Sequence, residues 1–172
     1  MRSTMQYSLI ELNEMSQEVF TEALGAIFER TPTVARCTWD DRPFASTADL
    51  HAKMVTAVNS MTGEEKLALI QAHPDLGSKA KMAVASVNEQ AGAGLDRLSV
   101  AEFDRLQFLN RSYRKKFGFP FIVAVKNHTK TSILEALERR LNNSPETEMQ
   151  QALTEIYEIA RFRLESAIGK QD

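Results

Sequence analysis

An all-α fold is what this sequence predicts, and three observations predict it. S/T-x-x-E start signals recur at Thr62 with Glu65, Ser86 with Glu89 and Ser99 with Glu102, each able to satisfy two backbone N–H groups at a helix start. Apolar residues return at intervals of three and four. Only 7 Gly and 5 Pro interrupt 172 residues. At that length one domain, residues 1–172, buries roughly two-thirds of its unfolded surface, and the expectation is a single helical bundle of about eight helices.

Taken in order, helices are predicted near 16–29, 32–39, 47–61, 63–72, 87–92, 100–117, 132–142 and 145–168. Phe20, Leu24, Ile27 and Phe28 share one face of the first. Pro32 and Pro145 follow Thr31 and Ser144, the arrangement favoured at a first helical position. Ser46 with Asp49 is a weaker start signal. Phe103, Leu106, Leu109 and Tyr113 predict the buried face of the sixth helix, and Lys and Arg in "RSYRKKF" suit the negative end of its dipole. Ile156, Ile159, Phe162 and Leu164 make the last helix a core member, closed by Gly169.

Two segments break this pattern. In 73–86, Pro74 disfavours the α conformation at His73 and Gly77 relieves the chain again. The run "FGFPFIVAV", 117–125, carries a proline and suits a short strand or an extended wall. Non-helical backbone inside a helical protein leaves polar groups in need of partners, so these segments are predicted to line a pocket.

Charge and composition narrow the function classes. A formal net charge of -2 offers no field for a nucleic-acid backbone. No apolar run reaches membrane-spanning length and no signal core or peroxisomal tripeptide is seen, so the expected location is the cytoplasm. The single Cys37 excludes an internal disulfide and reads as a buried small hydrophobe. No metal-ligand spacing, P-loop, nucleophile elbow or dinucleotide fingerprint occurs.

Chemistry concentrates at "QAHPDLGSKA" and "SVNEQAGAG". His73 has two readings: a helix C-cap meeting the dipole, or a general acid or base held by a rigid X-Pro bond, with a reference pKa of about 6.5. Glu89 likewise either completes the box with Ser86, or joins Ser86 and Gln90 in binding a polar small molecule. His51 and His128 are expected to face solvent.

Read together, "AHPDLG", "SVNEQAGAGLD", "LNRSYRKKFGFPFIVAV" and "IARFRLESAI" resemble the 2-oxo-4-hydroxy-4-carboxy-5-ureidoimidazoline (OHCU) decarboxylases of urate degradation. "RTPTVARCTW" and "RPFAS" extend the likeness to most of the chain, from about residue 8 to 166. The resemblance implies an all-helical, cofactor-free, usually homodimeric carboxy-lyase that converts OHCU to (S)-allantoin, with His73 and Glu89 catalytic. It implies substrate contacts at Pro74, Ser86 and Gln90, and backbone contacts along Phe121, Ile122, Val123, Ala124 and Val125. It places the family's last-helix arginine at Arg163, with Arg161 two residues before it. The expected partners are the small-molecule substrate and a second copy of the chain, with no nucleic acid and no membrane. Two other readings stay open: a non-catalytic helical interaction module, and another lyase or hydrolase acting on a ureido compound.

Overall fold

The computed structural model describes residues 6–77 and 93–169 of the 172. Among the described residues there are eight α-helices and no strand: α1 Leu9–Glu14, α2 Gln17–Leu24, α3 Thr33–Thr38, α4 Thr47–Asn59, α5 Gly63–Gln71, α6 Val100–Phe117, α7 Lys130–Arg140 and α8 Pro145–Ala167. The all-α expectation is met. The helix predicted at 87–92 lies outside the described residues. The chain clusters into two compact units, one formed by residues up to Leu69 with those from Tyr157 onward, the other by Ile70–Ile156.

In the first unit, α1 opens on a capping box between Ser8 and Glu11 that the sequence analysis passes over. Ser16 caps α2 by accepting from Val19 N–H. The helix predicted over 16–29 ends at Leu24, yet Ile27 and Phe28 remain buried in the turns that follow. Tertiary burial continues the apolar pattern there after the helical backbone has stopped. Pro32 is the N-cap of α3 and not its first residue. Val34, Ala35 and Thr38 face inward, which turns Cys37 outward; the expectation of a buried thiol is corrected. The i, i+4, i+8 row Leu50, Met54 and Val58 is fully buried on α4. Past α8, Ile168 bridges in parallel to Tyr7, and Gly169 N–H donates to the Tyr7 carbonyl.

In the second unit, α6 has a complete capping box between Ser99 and Glu102 and ends at Gly118, whose φ of 80° is left-handed, a conformation glycine adopts without steric cost. Removing the cap with Ser99→Ala is expected to cost about 1 kcal/mol, read as a lower urea midpoint with unchanged slope. Leu106, Leu109, Asn110 and Tyr113 form the buried face of α6. Phe103, predicted to join it, is instead 44% exposed, because it lies well round the helix from that row. α7, predicted from residue 132, begins two residues earlier because Thr129 caps it through Ser132 N–H.

Candidate functional site

His73 closes the turn after α5. Its N–H donates to the Ile70 carbonyl at 3.2 Å, and the residue is only 7% exposed. The backbone that follows is held from α6. Asn110 Nδ2 donates to the Leu76 carbonyl at 3.0 Å, and Arg114 pairs with Asp75 at 3.0 Å. Gly77 then turns left-handed at φ 79°, a conformation that favours glycine, and a Cβ there would lie 2.9 Å from Leu106 Cδ2, so that side chain would have to shift. A buried imidazole thus stands on a strut fixed at three consecutive points. Pro74 is half-buried beside it. Ser86, Glu89 and Gln90 lie outside the described residues.

The run 117–125 is extended without forming a strand. Phe121, Ile122, Val123, Ala124 and Val125 are all buried, as an inner wall demands, and side chains meet two of its backbone polar groups. Arg140 Nη1 donates to the Ile122 carbonyl at 2.6 Å, and Ala124 N–H donates to Glu155 Oε1 at 3.2 Å. The Arg140 guanidinium also sits 4.5 Å from the Phe121 ring centroid.

Arg140 is itself part of a buried ionic cluster. Its Nε lies 2.8 Å from Glu148 Oε1, Tyr113 OH donates to the same oxygen at 2.5 Å, and Asn143 Nδ2 donates to Oε2 at 2.8 Å. Glu148 has no exposed surface, and its carboxylate oxygens here accept from three side chains, which is what makes a buried charge tolerable. Burial first, then the bond to Glu148, pushes the Tyr113 phenol far above its ordinary 10.0. An unfolded phenol ionises near 10 while the folded one does not. The cluster's contribution is therefore complete below pH 10 and is lost as pH rises above it. Tyr113→Phe is expected to cost about 1.5–3 kcal/mol and to flatten the alkaline limb of a stability-against-pH curve measured by urea unfolding.

These supporting residues escape sequence analysis. Tyr113 reads as one more apolar row member, and Glu148 as a first-turn charge on α8.

Arg163 belongs to the other unit. It pairs with the buried Glu29 at 2.9 Å and donates to the Ala26 carbonyl at 3.3 Å. Arg161, on another side of the same helix, pairs with Glu158 and Glu165 and borders a cleft of about 700 Å³ with Ser46, His51 and Leu164. Among the described residues, none of those assigned to the site by resemblance lines this cleft. His51 and His128 are half-buried, not solvent-facing: His51 Nε2 is 2.8 Å from the Tyr157 carbonyl and His128 Nδ1 is 2.9 Å from Ser132 Oγ.

A family profile described as OHCU decarboxylase matches residues 13–165. The chain is 43% identical over 162 residues to the 2-oxo-4-hydroxy-4-carboxy-5-ureidoimidazoline decarboxylase of Halalkalicoccus jeotgali, covering 94% of this chain and 92% of that one. It is 46% identical to the uric acid degradation bifunctional protein PucL of Bacillus subtilis, covering 96% of this chain but 33% of PucL. Among solved structures, a crystal structure of (S)-allantoin synthase is similar with a TM-score of 0.80 and 32% identity, over 96% of this chain and 55% of that one.

Proposed function

The chain belongs to the OHCU decarboxylase family, and on that premise we propose that it decarboxylates OHCU to (S)-allantoin in urate degradation, with His73 and Glu89 carrying the chemistry. The observation that carries this reading is a buried histidine on a clamped, proline-stiffened turn, at the motif position the family resemblance marks.

Breaking the bond between a ring carbon and its carboxylate releases carbon dioxide and leaves an electron pair. Most decarboxylases recruit a cofactor to take that pair. OHCU carries a C=N bond on the neighbouring ring carbon, so the pair moves into it as the nitrogen gains a proton. Protonation of that neighbouring carbon then sets the S centre, while the hydroxyl on the first carbon loses its proton and becomes a carbonyl. His73 is the group that transfers protons in this sequence, and Glu89 orients the ring or the ureido arm by accepting its N–H bonds. Pro74, Ser86 and Gln90 are the further substrate contacts that the family resemblance assigns, and in this reading the wall from Phe121 to Val125 presents backbone groups to the heterocycle. The family profile runs through both units, which supports residues 1–172 acting as one functional domain.

The finer assignments are a homodimer working in the cytoplasm. No helix among the described residues is long and apolar enough to cross a membrane. The deciding measurement is the optical activity of allantoin formed from freshly generated OHCU, because unassisted decay gives a racemate. A racemic product at the uncatalysed rate removes the reading.

A further inference from the structure

Within the second unit, α8 turns polar side chains toward the wall. Glu148, Gln151 and Glu155 recur at three and four and so share one face of the helix, beside the buried Ala152 and Ile156. Glu148 acts through Arg140, which donates to the Ile122 carbonyl at 2.6 Å. Glu155 reaches the wall itself: its Oε1 accepts from Ala124 N–H at 3.2 Å, and Gln151 Nε2 donates to its Oε2 at 3.2 Å. One guanidinium and one carboxylate therefore grip the backbone on either side of Val123. The carbonyls of Ala124 and Val125 accept from Asn127 and His128 N–H. Val123 is 4% exposed, and neither its N–H nor its C=O takes a hydrogen bond among the described residues. Buried backbone groups are almost always paired, and a bound ligand is one such partner.

The two grips decide where that pair of groups points. Both peptides flanking Val123 are trans, and in a planar trans peptide the C=O and the N–H point in opposite directions. With the Ile122 carbonyl turned to Arg140, Val123 N–H is sent the other way. With Ala124 N–H turned to Glu155, the Val123 carbonyl is likewise sent away from Glu155. In extended backbone the N–H and C=O of one residue share a side, as where opposed residues of an antiparallel ladder exchange both bonds. A donor and an acceptor so placed match the edge of a cyclic ureide, in which an N–H lies beside a C=O. Releasing Ala124 N–H frees the second peptide to rotate, which takes the acceptor away and leaves the donor.

We propose that Glu155 is a positioning residue of the reaction above: it fixes the Val123 carbonyl as the acceptor for a ring or ureido N–H of the substrate. The inference rests on the decarboxylase reading and adds to it a side chain that acts on the substrate only through the backbone. The test compares Glu155→Leu, which keeps bulk and removes the acceptor, with Glu155→Gln. The amide oxygen of glutamine still accepts from Ala124 N–H, while Gln151 turns its own amide over to meet the new NH2. Kinetics on freshly generated OHCU are read by stopped-flow circular dichroism, with thermal melting as the folding control. Glu155→Leu is expected to raise KM about tenfold with kcat little changed, as the loss of a hydrogen bond made equally in ground and transition states does. Glu155→Gln is expected to keep KM near the wild-type value. A wild-type KM in Glu155→Leu, whatever its Tm, overturns the inference by leaving Glu155 a structural role alone. An equal rise of KM in both variants also overturns it, because the carboxylate charge and not the accepted bond is then what matters. Either result leaves (S)-allantoin formation by the wild type untouched; a wild-type chain that yields only racemate overturns the decarboxylase reading and this inference with it.

Discussion

His73→Gln is expected to slow (S)-allantoin formation by about 10²–10⁴-fold, the ordinary worth of a positioned acid or base. Glutamine keeps a polar side chain of similar reach but does not exchange a proton near neutrality, so the substitution removes the proposed proton transfer with little change in packing. Position 73 sits in a turn whose neighbours are held independently, Leu76 by Asn110 and Asp75 by Arg114, and the fold is expected to survive. Stopped-flow circular dichroism on freshly generated OHCU separates enzymatic product from spontaneous racemate. A variant that matches the wild-type rate removes His73 from the mechanism. One that loses activity together with its cooperative unfolding shows a structural role instead.

Glu148→Ala is the second large effect, and it is one of stability. The substitution strands the Arg140 guanidinium inside the protein and takes the acceptor from Tyr113 and Asn143. Removing one member of a buried pair costs about 3–5 kcal/mol, which in a chain of this size lowers Tm by roughly 6–20 °C. Replacing both charges, as Arg140→Met with Glu148→Leu, is expected to recover most of that loss, because no uncompensated charge remains. The recovered protein still lacks the donor to the Ile122 carbonyl. If the wall binds substrate, the double variant regains Tm yet shows a raised KM for OHCU, a split that simple destabilisation does not produce. A single Glu148→Ala that melts within about 2 °C of wild type, less than 1 kcal/mol for a chain this long, rules out a stabilising role for the cluster.

By itself the sequence determined most helix starts and the identity of the family. The boxes at Thr62 with Glu65 and at Ser99 with Glu102 form as their spacing requires, since a cap is a bargain between residues three apart and needs nothing from the rest of the chain. Pro74 and Gly77 likewise mark the turn after His73, because their backbone preferences are their own. What only the tertiary structure decided was which polar groups meet. Asn110 finds Leu76 across 34 residues and Tyr113 finds Glu148 across 35; no local pattern joins them. The same holds for α2, whose apolar rhythm outlasts its helix, and for Phe103 and Cys37, which face outward despite residue types that favour burial. Hydrophobicity is non-directional and says that a side chain prefers to be covered; what covers it depends on segments far away in the chain.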